Sequence, residues 1–306
     1  MGKFFDALKK SEALKGQASC TLAATTVAKI SPQNVDALKL DTGAPKGPGE
    51  ESAFSRNGME QRFASFLEPQ SMASESFKML RAKLFTNNSR CRPRSIMVTS
   101  PQPLDGKTMV AANLAISIAQ GINEYVMLVD CDLRGPSLDR LLGLNVNEGI
   151  REYLEDGISV APYLLKTSVE KLTLLPAGKP PQNPSELLSS EKMRLLVDEL
   201  KARYEDRYII FDTTPTQFVA ETTFLASIVD SVVLVVRAGR TNKDMILEST
   251  KNIDRKKILG VVFNASEESG KGYGYYYYRY YYKKRRRASA LCSMSKSKSY
   301  VISQKS

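Results

Sequence analysis

Residues 95–109 read as a strand, a turn-rich loop and the start of a helix. The loop ends in the triplet Gly106-Lys107-Thr108. Backbone N–H groups of such a loop can bind phosphate oxygens, the lysine can reach the β and γ phosphates, and the hydroxyl can hold Mg²⁺. The positive end of the helix dipole faces the same anion. The stretch predicts a nucleoside triphosphate site, although Pro101 stands at the first glycine of G-x-x-x-x-G-K-[ST]. The alternative is a simple turn before an amphipathic helix.

Apolar strands alternate with helices through the rest of the chain. Strands are predicted at 125–130, 172–176, 207–212, 231–237 and 258–264. Helices fall between them, including one long helix at 185–204. Near-continuous apolar strands separated by helices are typical of a parallel sheet covered on both faces. The predicted fold is therefore α/β, a doubly wound, mostly parallel sheet flanked by helices, which binds ligands at the carboxyl ends of its strands.

Three acidic residues follow two of these apolar strands. Asp130 and Asp132 end the strand after the proposed phosphate loop, and Asp212 ends the strand at 207–212. Carboxylates at this edge can hold Mg²⁺ directly or through water, and one can accept a proton from an attacking hydroxyl. A single aspartate at a strand end is usually a loop cap. Three of them after a Gly-Lys-Thr triplet indicate a phosphoryl-transfer or nucleotide-hydrolysing site.

The composition excludes several other chemistries. The chain has no histidine, which removes Ser-His-Asp, Cys-His and His-metal sites. Its four cysteines are scattered without metal-ligand spacing, as in a reduced, cytosolic protein. No apolar run reaches the roughly 18 residues of a membrane span, and the N-terminus lacks the apolar core of a signal peptide. Membrane association is therefore expected only through the surface or a partner.

The positive charge is concentrated in the last 36 residues. Residues 271–306 contain ten of the 44 basic residues and no acidic one, which leaves 34 basic against 33 acidic residues before them. The same segment holds eight tyrosines within ten positions: Tyr273, Tyr275, Tyr276, Tyr277, Tyr278, Tyr280, Tyr281 and Tyr282. Such a tail could bind nucleic acid or an anionic membrane. Neither explains why its clustered aromatic residues are all tyrosine.

Three segments follow from these patterns. Residues 1–70, with a Pro- and Gly-containing region and one short amphipathic stretch, are predicted as a flexible N-terminal arm. Residues 71–268 are predicted as the nucleotide-binding domain, and residues 269–306 as a tyrosine-rich basic C-terminal tail. The domain begins with a helix in which Phe77, Leu80 and Leu84 share one face.

The loop, the acidic pair in Val129-Asp-Cys-Asp-Leu-Arg-Gly-Pro, the segment Ile210-Phe-Asp-Thr-Thr-Pro and the tyrosine cluster together resemble the bacterial tyrosine kinases (BY-kinases). These are cytoplasmic P-loop autokinases of the deviant Walker type that regulate capsule and exopolysaccharide biosynthesis. The resemblance covers about residues 72–282. It implies an ATP- and Mg²⁺-dependent protein-tyrosine kinase that phosphorylates its own C-terminal tyrosines.

The resemblance also implies residue roles. The nucleotide-binding residues would be Asp105, Gly106, Lys107, Thr108, Met109, Arg237 and Asn264, with Asn264 contacting adenine. Mg²⁺ would be held by Thr108, Asp132 and Asp212. Asp130 would be the base for the incoming tyrosine, and the catalytic set would be Lys107, Asp130, Asp132 and Asp212. The phosphoacceptors would be the eight clustered tyrosines.

Glu75, Lys78 and Arg81 resemble the family's E-x-x-R-x-x-R oligomerisation motif, with Lys78 in place of the first arginine. A solvated helix face is the alternative explanation of these charges. Three departures lie in the nucleotide site: Leu104, Thr214 and Met109, the last of which follows Thr108 where the family often has serine or threonine. Leu104 stands where the family usually has glycine, and a leucine there is strained if the position requires a positive φ. Thr214 replaces the first proline of D-[ST]-P-P.

The partners implied are further copies of the chain in a ring, a membrane-anchored polysaccharide co-polymerase that activates the kinase, and a cognate tyrosine phosphatase. Nucleic acid is not expected as a partner. The implied location is the cytoplasm, peripheral to the inner face of the cell membrane through the partner. Two alternatives stay open: a nucleotide-binding regulatory subunit with little kinase activity, and a P-loop ATPase whose basic tail binds nucleic acid or membrane.

Overall fold

A computed structural model describes residues 26–29, 63, 68–86 and 93–266, except 145, 158, 205 and 217–219. Its strands form one sheet in the order β1-β8-β7-β2-β6-β3-β5-β4. All neighbouring strands run parallel except β4 and β5, which are antiparallel. The strands are β1 Thr26–Lys29, β2 Ser95–Thr99, β3 Tyr125–Cys131, β4 Leu165–Lys166, β5 Leu172–Leu175, β6 Arg207–Thr213, β7 Ser231–Arg237 and β8 Ile258–Asn264.

Helices connect these strands and cover both faces of the sheet. They are α1 Met72–Thr86, α2 Lys107–Ala119, α3 Leu138–Leu141, α4 Ile150–Asp156, α5 Pro184–Leu188, α6 Glu191–Arg203, α7 Ala220–Ile228 and α8 Lys243–Ser249. Short 3₁₀ turns occur at Ala161–Tyr163 and Arg255–Lys257. None of the helices that the structure describes is both long and apolar enough to cross a bilayer.

Strand residues alternate between two buried clusters, one on each face of the sheet. Ile96 and Val98 pack in the cluster that includes α1 and α2, while Met97 packs in the opposite cluster with α6 and α7. The alternation follows from the two-residue repeat of a strand. Because both faces are covered, the central strands are apolar throughout, as the sequence predicts. The predicted α/β fold with a doubly wound, mostly parallel sheet is confirmed.

The strand pairing fixes the place of the acidic residues. β6 lies between β2 and β3, and Asp130 of β3 is in register with Asp212 of β6. β2 leads into the Gly-Lys-Thr loop beside them. Both carboxylates therefore meet the loop at the carboxyl edge of the sheet, which is where doubly wound folds bind ligands.

Two local features differ from the sequence prediction. The long helix predicted at 185–204 is two helices, because Ser190 caps α6 by accepting a hydrogen bond from the Met193 N–H at 3.2 Å. Pro184 begins the preceding helix, as predicted. Residues 26–29, within the segment predicted as a flexible arm, form edge strand β1 along β8, a strand that the sequence pattern does not predict.

Candidate functional site

The phosphate loop passes directly from β2 into α2. Gly106 is the N-cap of α2 and adopts a left-handed conformation with φ 92°. No side chain caps this helix, so its first N–H groups remain available to an anionic ligand. A Cβ on Gly106 would lie 2.1 Å from Asn264 Nδ2, so close packing and backbone conformation both require glycine.

Leu104 has a positive φ of 67°, the conformation that makes glycine suitable at this position. Its side chain is 74% exposed, so little packing offsets the strain. The backbone here is held from outside the loop, because Arg237 Nη1 donates to the Leu104 carbonyl oxygen at 3.2 Å. Leu104, which departs from the glycine usual in the family, is therefore a strained residue inside the phosphate loop.

Replacing Leu104 by glycine should relieve this strain. We expect Leu104→Gly to be more stable than Leu104→Ala by about 0.5–1 kcal/mol, because alanine keeps the Cβ that disfavours positive φ. Chemical denaturation of the two variants measures the difference. Leu195→Gly is the matched control: Leu195 is also exposed but lies within helix α6, so glycine should destabilise that variant. Equal stability of the two Leu104 variants would contradict the strain.

Lys107 is the centre of the charged cluster. Its Nζ lies 2.8 Å from Asp132 Oδ2, 3.0 Å from Thr108 Oγ1 and 3.8 Å from Asp212 Oδ1. Burial alone would lower the pKa of Lys107, but the charges of Asp212, Asp132 and Asp130 outweigh burial and leave the pKa raised. The ammonium is therefore a fixed positive charge at the loop.

Asp130 is 1% exposed, and backbone N–H groups surround its carboxylate. Oδ1 accepts from Asp132 at 3.0 Å, while Oδ2 accepts from Leu138 at 3.2 Å and Ser137 at 3.3 Å. Burial, with a smaller contribution from the charge of Asp212, raises the pKa of Asp130 to about 7. The group can thus hold or release a proton near neutral pH, and it also shapes the loop after β3.

Asp212 is equally buried but lacks such donors. Neither carboxylate oxygen accepts a hydrogen bond from the residues that the structure describes. Burial raises the pKa of Asp212 to about 6, although the nearby Lys107 charge opposes the rise. Buried polar atoms normally have hydrogen-bond partners, and a buried carboxylate without one, beside a phosphate loop, is suited to a cation.

These residues fit Mg²⁺ bound together with a nucleotide. Within the described part of the chain, no group of three or more His, Cys, Asp or Glu residues could hold a metal ion. Mg²⁺ usually takes one or two carboxylates and completes its shell with water and substrate phosphates. Asp132, Asp212 and the Thr108 hydroxyl supply such an incomplete oxygen set.

Two predicted nucleotide-binding residues contact the loop itself. Arg237 binds the Leu104 carbonyl, and Asn264 Nδ2 donates to the Asp105 carbonyl at 2.8 Å. Asn264 Oδ1 also accepts the Ala265 N–H at 2.9 Å. The amide of Asn264 is thus bonded to backbone on both sides, and its contact with adenine stays a prediction. Met109 lies in the first turn of α2, partly buried against the core.

The predicted oligomerisation residues make contacts within the chain. Lys78 Nζ is 2.8 Å from Glu75 Oε1 and 2.8 Å from the Pro69 carbonyl. Arg81 Nη1 donates to the Ser117 carbonyl in α2. Arg81 thereby ties α1 to the helix that follows the phosphate loop. A role for these three residues between subunits stays a prediction, and the eight tail tyrosines lie outside the described residues.

Two polar groups near the site are not predicted from the sequence. Gln102 and Thr241 contact the buried Asp105, and Arg134 forms an ion pair with the buried Glu221 at 2.9 Å. Ser185 Oγ bonds both members of that pair. The only signal for the second group was an arginine two positions after Asp132. A threonine after a strand gives no signal of its own.

The fold and the site together define a P-loop nucleotide-binding protein. Its marks are a parallel sheet, a Gly-Lys-Thr loop at a helix N-terminus, and aspartates at the ends of two neighbouring strands.

Comparison with known proteins gives the family. The chain is 33% identical over 220 residues to tyrosine-protein kinase YwqD of Bacillus subtilis, covering 70% of this chain and 92% of that protein. It is 31% identical over 199 residues to the putative tyrosine-protein kinase CapB of Staphylococcus aureus, covering 64% and 86%.

Solved structures that resemble the chain belong to the same class of protein. The kinase domain of the Escherichia coli tyrosine kinase ETK superposes with a TM-score of 0.63 at 26% identity, covering 73% of this chain and 89% of that one. The chimerical protein CapA2B2 gives a TM-score of 0.62 at 32% identity, covering 68% and 92%. No family model matches the chain. The chain belongs to the bacterial tyrosine-protein kinases, as its sequence motifs predict.

Proposed function

We propose that the chain is an ATP- and Mg²⁺-dependent autokinase that transfers the γ-phosphoryl group to tyrosines of residues 273–282. The observation that carries this proposal is the convergence of Lys107 on Asp132 and Asp212 at the end of the phosphate loop. It supports the proposal because one fixed cation and two possible oxygen ligands lie together beside the loop that would bind the triphosphate. Positioning and electrostatics supply most of the catalysis in such reactions.

Each residue then has a defined task. Lys107 and the N-terminus of α2 bind the β and γ phosphates, while Thr108, Asp132 and Asp212 hold the metal. Bound Mg²⁺ supplies neutralisation of the phosphate charge. The tyrosine oxygen attacks the γ phosphorus, the bond from that phosphorus to the β–γ bridging oxygen breaks, and ADP leaves. The phenolic proton passes to Asp130.

The pKa of Asp130 suits the proposed role of general base. Its pKa of about 7 lies close to neutral pH, where a general base is most effective. The three backbone N–H groups around it fix the carboxylate, and Oδ1, which accepts only one of them, still has a lone pair for a further proton. Asp130 is therefore both an anchor for the loop after β3 and the proposed proton acceptor.

Phosphorylation would reverse the charge of the tail. Residues 271–306 carry ten basic and no acidic side chains. Each phosphotyrosine adds about −1.5 to −2 charges at pH 7, so six or seven of them cancel or invert the positive charge. The unmodified tail would be drawn to the acidic site of a neighbouring copy or to anionic lipid, and the phosphorylated tail released. An unchanged oligomeric state and lipid affinity after full phosphorylation would contradict this switch.

Family membership supports the cellular setting. We place the kinase in the cytoplasm, held at the inner face of the membrane by a membrane-anchored polysaccharide co-polymerase that activates it. Copies of the chain form a ring through Glu75, Lys78 and Arg81, with the tail of one copy in the site of the next. A tyrosine phosphatase resets the tail. The process regulated is capsule or exopolysaccharide biosynthesis and export.

Incubation of the purified chain with Mg·ATP, followed by mass spectrometry of the tail, tests the proposal. Phosphate is expected on tyrosines of residues 273–282, and Asp130→Asn is expected to abolish most of it. Any membrane activator must be supplied, because the isolated chain can require it. Absence of tail phosphotyrosine under those conditions would overturn the autokinase assignment.

A further inference from the structure

Asp105 is a charged residue inside the phosphate loop that phosphate binding does not by itself explain. It is fully buried, although it lies between the exposed Leu104 and the N-cap Gly106. Its Oδ1 accepts hydrogen bonds from Thr241 Oγ1 at 2.9 Å and Gln102 Nε2 at 3.4 Å. A buried carboxylate requires such donors, and here they come from a separate turn and from the loop itself.

Thr241 is itself fixed by the turn that follows β7. Its Oγ1 accepts the Arg237 N–H at 3.2 Å, and its own N–H donates to the Arg237 carbonyl at 3.1 Å. Gln102 Nε2 lies 3.3 Å from the same hydroxyl. The hydroxyl therefore links the end of a central strand to the carboxylate of Asp105.

Two neighbouring side chains also hold the phosphate loop in place. Arg237 Nη1 binds the Leu104 carbonyl, and Asn264 Nδ2 binds the Asp105 carbonyl. Two adjacent loop residues, one of them strained, are thus held by the ends of β7 and β8. Free movement of this loop would displace the N–H groups that face the phosphates, since Gly106 and Lys107 follow at once.

We propose that Gln102, Asp105 and Thr241 form a brace, called here the loop brace, that positions the phosphate loop for nucleotide binding, with Asp105 and Thr241 as positioning residues. This inference rests on the proposed function. The metal, the γ-phosphoryl group and the phenolic proton are assigned to other residues, so loss of the loop brace should weaken nucleotide binding more than it slows transfer at saturating ATP. A serine at position 241 would keep the hydroxyl that bonds Asp105.

The test measures binding and catalysis separately. Fluorescence titration with mant-ATP and Mg²⁺ gives Kd, and tail phosphorylation gives KM for ATP and kcat. Thr241→Val should raise Kd and KM about tenfold, since a hydrogen bond to a charged group is lost, and kcat should fall much less. Thr241→Ser should restore both values to within about twofold. Asp105→Ala should weaken binding as Thr241→Val does.

Thr250→Val is the matched control, because the Thr250 hydroxyl bonds only carbonyls at the end of α8 among the described contacts. It should leave Kd unchanged. Wild-type affinity in both Thr241→Val and Asp105→Ala would overturn the loop brace while leaving the proposed function intact. Equal weakening in Thr241→Val and Thr241→Ser would also overturn it. A wild-type chain that does not bind mant-ATP would instead overturn the proposed function, and the loop brace with it.

Discussion

Lys107→Met should reduce tail phosphorylation by about 10²–10³-fold or more, a loss similar to removal of one donor aimed at developing transition-state charge. The reason is geometric. The Lys107 side chain is 12% exposed and reaches both Asp132 and Asp212, and no other described cation takes that position. A phosphorylation time course with Mg·ATP measures the loss. Lys251→Met, which removes an exposed lysine paired with Glu248, is the control and should keep full activity.

The same substitution should also lower stability, because Lys107 offsets three buried or half-buried acids. Its raised pKa means that this stabilisation is present below the pKa of lysine in the unfolded chain and is lost as the pH rises through the higher pKa of the folded state. Lys107→Arg keeps the charge and should recover much of the stability without recovering activity, because arginine does not present the same point charge. If Lys107→Met were folded and fully active, the phosphate-binding role of Lys107 would be wrong.

Asp212→Asn should abolish kinase activity and yet stabilise the protein at pH 8. The wild-type carboxylate is buried without a described hydrogen-bond donor, and burial raises its pKa to about 6. The folded state therefore disfavours the ionised form. That penalty is absent below about pH 4, grows as the pH rises, and is complete above about pH 6. The asparagine removes the charge and the penalty together.

We expect a gain of about 1–2 kcal/mol at pH 8, which raises Tm by roughly 2–4 °C for each kcal/mol in a domain of this size. At pH 5 the gain should be smaller. Thermal unfolding at the two pH values measures it. A lower Tm for Asp212→Asn at pH 8 would contradict the predicted cost of burying the ionised carboxylate.

Asp230→Asn is the matched control, and its effect on stability at pH 8 should have the opposite sign. Partial burial alone would raise the pKa of Asp230, but hydrogen bonds from Lys201 at 2.6 Å and from the N–H groups of Ser95 and Arg94 outweigh burial and lower it. Its stabilisation is present above the unfolded pKa and lost as the pH falls. Asparagine should therefore destabilise the protein at pH 8.

The sequence predicts the convergence of Asp130, Asp132 and Asp212 because it depends on one rule. The carboxyl ends of parallel strands lie at one edge of the sheet, and each of these acids follows an apolar strand. The positive φ of Leu104 is also foreseeable, since the position is usually glycine in the family that the motifs resemble. Both features depend on local sequence and on strand direction alone.

Other features depend on contacts between distant side chains, which no local pattern encodes. Thr241 reaches Asp105 across 136 positions, and Arg81 reaches Ser117 in the next helix. Strand β1 pairs with β8, which lies at the other end of the described chain. The break between α5 and α6 is a different case: Ser190 before Glu191 is a capping signal that could have been recognised.

Mass spectrometry of the tail after incubation with Mg·ATP tests the central claim most directly. The wild type and a variant with all eight clustered tyrosines changed to phenylalanine are compared, each with any membrane activator supplied. The account predicts phosphotyrosine within residues 273–282 of the wild type, and loss of nearly all incorporated phosphate in the phenylalanine variant. A wild-type tail without phosphotyrosine, or equal incorporation in the two proteins, would contradict it.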